Sequence, residues 1–234
     1  MRRCGPLACL LTWTALCGAA DKVQPLATLQ DKTVDESSGL ALGIVNPNTF
    51  WTHNDSGDGP MLYAFDRKGR NRGRLELVGA KARDWEDMAS YELGKRGFLL
   101  AADIGDNYGM WPHYTLYITQ EPVLGAEART HKRKPDIKVE FVYEDGPHNC
   151  ESITVDTRAG RILLLTKRID GKPCKLYSMP LPIRTPDKRQ TAKALATLRV
   201  PTTTAMDLSP DGRRLVVLGY GTKATEWVLS LIHI

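Results

Sequence analysis

The acidic residues of this 234-residue chain fall in short clusters of the kind that can hold a hard cation. Asp55-Ser56-Gly57-Asp58 and Asp103-Ile104-Gly105-Asp106-Asn107 read as one device used twice. Glu86-Asp87, Glu151 and Asp207 stand between apolar residues. Asp, Glu and Asn offer only oxygen ligands, the set that suits calcium, and no soft ligand accompanies them. Asp55, Asp87, Asp103, Asp106, Asn107 and Asp207 are therefore the candidate metal ligands, and calcium is the expected cofactor. Glu86, Glu151 and His53 are the candidate catalytic groups: either glutamate would act as base on a substrate polarised by the cation. His53, Lys167 or Arg168 would bind an anion, and Trp51 could stack on a flat ligand. Asp before Gly or Asn is also ordinary turn chemistry, so each cluster has a purely structural alternative. No nucleophile-elbow serine, phosphate-cradling glycine loop or metalloprotease histidine pair is present.

Groups spread from Trp51 to Asp207 act together only if the fold gathers them. An internal repeat supplies the means. Ser38-Gly39-Leu40-Ala41, Glu86-Asp87-Met88-Ala89, Glu151-Ser152-Ile153-Thr154 and Met206-Asp207-Leu208-Ser209 recur at intervals of 48, 65 and 55 residues. Each is followed by a short run rich in apolar and β-branched residues: 49–53, 98–102, 161–166 and 214–218. A Leu-Tyr pair then recurs at Leu62-Tyr63, Leu116-Tyr117 and Leu176-Tyr177, and an alternating run closes each unit at 73–78, 137–143 and 192–200. Four short strands per unit of about 50 residues predict an all-β fold, a β-propeller of four-stranded blades. Three blades and half of a fourth are counted, so the ring is incomplete. The loops entering the first strand and leaving the second share one face, which brings the acidic groups to the mouth of a central channel. So many carboxylates repel one another unless a cation, Lys167 and Arg168, or raised pKa values relieve them.

The turn Ser209-Pro210-Asp211-Gly212 resembles that of TolB-like propellers. The stretches Trp51 to Gly59, Asp84 to Ala89 and Ala102 to Asn107 are similar to secreted bacterial propellers grouped under "esterase-like activity of phytase". The likeness covers most of residues 35–228 and implies the fold and an ester- or phosphate-hydrolase label, without matching individual catalytic positions.

The two ends of the chain differ from the rest. Arg2 and Arg3, an apolar run from Leu7 to Leu16 and the small residues Gly18 to Ala20 form a secretory signal over 1–20, which predicts a secreted or periplasmic protein with no membrane-spanning segment once it is removed. Residues 21–228 are the partial propeller. Residues 229–234 break the blade pattern and read as a non-native tail, a cloning or assembly scar. Lys and Arg number 32 against 27 acids, and loss of Arg2 and Arg3 leaves an excess of about three, too small to indicate nucleic acid. Cys150 and Cys174 then remain as an even pair in an oxidising compartment, an expected disulfide. Basic loops at 67–74, 129–134 and 184–193 lie opposite the acidic mouth and could rest on an anionic envelope surface. Two functions follow as expectations: a ligand-binding or scaffolding module of the cell envelope, or a calcium-dependent phosphate- or carboxylic-ester hydrolase.

Overall fold

The computed structural model describes residues 13–14, 25–55, 57–200, 202–220 and 227–233. Short alternating apolar runs between Gly- and Pro-bearing turns give strands, and among the described residues there is no helix. No helix, therefore, is long and apolar enough to cross a membrane.

After a two-residue strand β1 (Trp13–Thr14), the chain builds antiparallel meanders. The first is β2 (Ser37–Leu42), β3 (Thr49–Asn54), β4 (Met61–Asp66) and β5 (Asn71–Leu77). The second begins with β6 (Trp85–Leu93), β7 (Arg96–Asp103) and β8 (Tyr114–Gln120). From β8 the chain sends β9 (Thr130–Arg133) back to lie parallel along β5, then returns as β10 (Ile137–Tyr143) beside β8. Pro135, between them, cannot donate to a ladder and marks the switch. The third meander is β11 (Cys150–Asp156), β12 (Arg161–Thr166), β13 (Cys174–Pro180) and β14 (Gln190–Leu198). The first residues of β14 pair parallel with β10, which joins the second and third meanders into one eight-stranded sheet. Its end strands, β6 and β11, pack on each other, so this sheet is nearly closed and barrel-like around Leu100, Leu116, Phe141, Ile153, Leu164 and Tyr177. The fourth set is β15 (Thr202–Leu208), β16 (Arg214–Tyr220) and β17 (Trp227–His233), with β1 along β17.

The opening strands lie side by side, β2 on β6, β6 on β11 and β11 on β15. Buried carboxylates lock these contacts. Asp87 accepts the Met88 and Ile153 amides, both at 2.8 Å, tying β6 to β11. Glu121, after β8, reaches the first meander and accepts from the Ile44 and Val45 amides at 2.7 Å, Asn46 Nδ2 at 2.6 Å and Trp51 Nε1 at 3.0 Å.

Several expectations are corrected here. Trp51 is fully buried against Leu62, Leu75 and Met88, so it cannot stack on a ligand. Cys150 and Cys174 form no disulfide. They lie on β11 and β13 with β12 between, two strand spacings or roughly 9.5 Å apart, beyond disulfide reach. They also face different cores. Residues 229–233 continue β17 and pair one for one with β16, so the change in pattern is not a break in the ladder. Of the segment 1–20, all but Trp13–Thr14 lies outside the described residues.

Replacing Glu121 with Ala removes the acceptor of the Ile44 and Val45 amides and of Trp51 Nε1 and leaves Asn46 Nδ2 only the Pro122 carbonyl; each donor left buried and unmet costs about 1–3 kcal/mol. Urea denaturation of Glu121→Ala is expected to show a loss of about 3 kcal/mol or more, with Glu121→Gln retaining part of it. An unchanged midpoint would refute the role of this carboxylate as a clamp.

Candidate functional site

All four opening strands carry a β-bulge near the same end. Between Ser37 and Leu40 on β2, Trp85 and Asp87 on β6, Cys150 and Ser152 on β11, and Thr203 and Ala205 on β15, one extra residue is inserted against the partner strand. A bulge bends its strand and re-aims the side chain it inserts. Ser38, Glu86, Glu151 and Thr204, the residues at these insertions, all line one cavity of about 570 Å³. Glu36 and Asp84 come to it from two residues earlier, while Asp55, Lys167 and Tyr220 reach it from the ends of the second strands. Asn107 and Ser37 complete its polar wall.

Among the described residues, five carboxylates thus share a space with one ammonium. Asp55, Asp84 and Glu86 present oxygens all within 4.8 Å of one another, a set that could hold a metal ion. Gly105 leaves room for two of them. A Cβ there would stand 2.3 Å from Asp84 Oδ2 and 2.4 Å from Glu86 Oε1. Glu86 is 6% exposed, and burial, reinforced by the charges of Glu151, Asp55 and Asp84, pushes its pKa up to about 9. Burial also raises Asp84, with Asp55 and Asp103 adding like charge. Glu151 is raised by burial too, although Lys167 Nζ forms an ion pair with it and opposes the shift.

The remaining predicted residues are placed differently. Asp87 is buried between β6 and β11 and spends its oxygens on backbone amides; burial raises its pKa well above the ordinary range. Asp103 accepts the Asp84 amide at 2.8 Å and faces Arg83 at 3.7 Å. Asp106 holds the loop after β7, accepting from the Met110 and Trp111 amides and from the Tyr114 hydroxyl. These three are structural, and none lines the cavity. Of the predicted metal ligands only Asp55 and Asn107 line it, with Asp55 alone in the three-carboxylate group. His53 is fully buried below it, its Nδ1 2.8 Å from the Asn54 carbonyl and its Nε2 without a hydrogen bond, and burial lowers its pKa. It cannot reach a ligand in the cavity. Arg168 pairs with Asp170 and borders a neighbouring cleft instead.

Asp207 lines a separate cavity of about 310 Å³ with Leu42, Tyr91 and Arg158. The cause is a register error in the repeat. The bulge aligns Thr204-Ala205-Met206-Asp207 with Glu151-Ser152-Ile153-Thr154, so Asp207 occupies the place of Thr154 rather than Ser152. The two acidic tetrads are likewise offset by one. Asn54 faces Ser37 as Asp103 faces Trp85, which makes Asp55 the counterpart of buried Ile104. Asp84, the main omission, was discoverable: it stands two residues before Glu86, one strand period, with Trp85 directed oppositely into the core. Of the basic loops, Arg70, Arg74, Lys132 and Arg189 pair with Asp66, Asp31, Glu76 and Glu140.

No protein family matches the chain, and no curated protein does. Among solved structures it is similar to the hydrazine synthase of Kuenenia stuttgartiensis, with a TM-score of 0.43 and 7% identity over 84% of this chain and 50% of that one. The chain spans half the length of that structure.

Glu86 keeps in the folded protein a proton that the unfolded chain releases near pH 4.5. Folding stability should therefore fall as pH rises from about 4.5 to about 9, by at most about 1.4 kcal/mol per pH unit from this group. Glu86→Gln removes that slope. Denaturation across this range should find the variant increasingly more stable than wild type toward pH 9 and equal to it near pH 4; parallel profiles would refute the assignment.

Proposed function

We propose that this chain folds as blades of a β-propeller, is exported to the cell envelope, and binds a cationic ligand in its axial cavity. The propeller reading is supported by the side-by-side opening strands, the meander behind each and the bulge shared by all four. Export rests on the charged and apolar pattern of residues 1–20.

The observation that carries the binding reading is the convergence of Asp55, Asp84 and Glu86 within 4.8 Å, with Glu151 lining the same cavity. Like charges held so close in a partly dry space are costly, and a cation relieves the cost directly. The donor set, carboxylate oxygens with an amide and hydroxyls nearby, fits calcium. Asp55, Asp84 and Glu86 would hold the ion, and Asn107 lies at the same wall. Because Glu86 holds a proton at neutral pH, cation binding there must compete with that proton and release it.

A second reading, ester or phosphate hydrolysis, is favoured by one feature. Glu86 retains a proton beside Glu151, which is paired with Lys167, so an acid and a carboxylate of different environment share one cavity. Calcium would supply polarisation of the substrate oxygen, Glu86 the proton for a leaving group, and Lys167 an anchor for an anion.

Calorimetric titration with calcium at pH 7 is expected to show saturable binding with release of about one proton, read from buffers of different ionisation enthalpy. Asp84→Asn and Gly105→Ala should each weaken binding about tenfold or more, the second by pushing the carboxylates apart. Absence of any calcium heat in the wild type overturns calcium as the cation. Turnover of aryl phosphate or aryl ester that disappears in Glu86→Gln would select the hydrolase reading; calcium binding without turnover selects the binding module.

A further inference from the structure

The cavity does not end at its carboxylates. Asn107 and Lys167 also line an adjoining cleft of about 320 Å³ between the loop after β7 and the loop after β12. Tyr108, Pro147, His148 and Ile169 line this cleft too. Tyr108, on the loop after β7, and Ile169, on the loop after β12, both line this cleft and are each 85% exposed, large apolar surfaces that the fold leaves in water. Arg168 is held by Asp170, and the His148 ring meets Asp145 and the Tyr177 hydroxyl, so these polar groups of the cleft already have partners.

The inner compartment has the opposite character. Lys167, the one ammonium lining it among the described residues, is engaged by Glu151. Glu86, a residue only 6% exposed, turns from its bulge into the cavity, and among the described residues its carboxyl takes part in no hydrogen bond or ion pair. A buried polar group in that state lacks a partner that a ligand can supply.

Resting on the cation-binding reading above, we infer that the ligand is an organic cation, a primary ammonium or guanidinium on an apolar or aromatic body, with its charged end among Asp55, Asp84 and Glu86 and its body in the cleft between Tyr108 and Ile169. An inorganic ion would satisfy the carboxylates and leave the apolar walls wet. An anion would meet a wall of carboxylates, and a neutral apolar molecule would bring no charge to answer Asp84 and Glu86. Cavity and cleft together have the volume of an ordinary small-molecule site. An amine presents donors to the carboxylates in place of water and loses little, while burying a ring against Tyr108 and Ile169 adds about tenfold or more in affinity. The same chemistry occurs in a free amine and in the basic side chain of a peptide.

The test compares phenethylamine, ethylamine and 2-phenylethanol by calorimetry on the wild-type chain, with calcium and acetyl-Phe-Arg-amide alongside. Phenethylamine should bind about tenfold or more tightly than ethylamine, 2-phenylethanol should give no saturable heat, and calcium should compete with phenethylamine. The double variant Tyr108→Ala, Ile169→Ala changes only exposed side chains. It should abolish the advantage of phenethylamine over ethylamine while calcium and ethylamine affinities stay as in the wild type. Tighter binding of acetyl-Phe-Arg-amide than of phenethylamine assigns the ligand to a polypeptide, and weaker binding assigns it to a free amine. Equal affinities for ethylamine and phenethylamine, or a phenethylamine affinity untouched in the double variant, overturn this inference while leaving the cation site intact. Failure of calcium and of every amine to bind overturns the cation site itself.

Discussion

One backbone constraint, the bulge at the same end of every opening strand, governs both the packing and the site. A regular strand alternates its side chains, so a glutamate next to a core residue must point away from the core and continue the ladder. Inserting one residue changes the phase once. Below the bulge, Met88 and Ile153 join the cores while Asp87 and Ser152 lie between strands. At the bulge, Glu86 and Glu151 are freed from ladder geometry and turned to a shared space. Because the four strands lie side by side, four local insertions become one cavity wall.

Carboxylates in this protein divide according to what satisfies them. Asp87, Asp106 and Glu121 are buried and accept between two and four donors each, several of them backbone amides. A carboxyl so surrounded holds two segments together, since each bond contributes about 0.5–1.5 kcal/mol and its loss leaves buried donors stranded. Glu86 has none of these donors among the described residues, and burial, reinforced by the neighbouring carboxylates, raises its pKa to about 9. Asp84 is intermediate in kind: its backbone is held by Asp103 and Gly105 while its side chain stays in the cavity. Satisfied carboxylates build the frame, and unsatisfied ones are left for a ligand. The distinction also explains Gly105, whose missing Cβ is needed for Asp84 and Glu86 to stand as close as they do.

Much of the strand order was legible in the chain itself. The recurrent Leu-Tyr pairs fall on β4, β8 and β13, and the runs at 161–166 and 137–143 coincide with β12 and β10. Glu86, Glu151, Asp55 and Lys167 were recognisable as neighbours once the repeat was seen. The errors share one origin, which is that a strand's period of two makes a register shift of one or two residues invisible to composition. Met206-Asp207 mimics the acidic pair, yet the bulge falls at Thr204 and moves Asp207 to the other cavity. Asp55 and Asp103 begin look-alike tetrads, yet stand one residue apart relative to their bulges. Trp51 and His53 lead up to the acidic tetrad at Asp55 in sequence and are nevertheless buried, because their side of β3 packs on other strands.

What the sequence by itself determined was the kind of structure and the kind of site: short strands in repeated sets, and carboxylates concentrated at equivalent ends of those sets. Alternation and turn chemistry are local properties, and local properties can be read along a chain. Only the tertiary structure decided which carboxylates remain available to a ligand, that Cys150 and Cys174 belong to different cores, and that the outer strands cross from one meander to the next through β9 and β14. Those outcomes depend on which donors lie across an interface between segments distant in sequence. Asp87 finds the Ile153 amide and Glu121 the Ile44 amide, whereas Glu86 finds no such partner. Nothing in the residue types distinguishes these three, because the difference lies in what the fold sets opposite each of them.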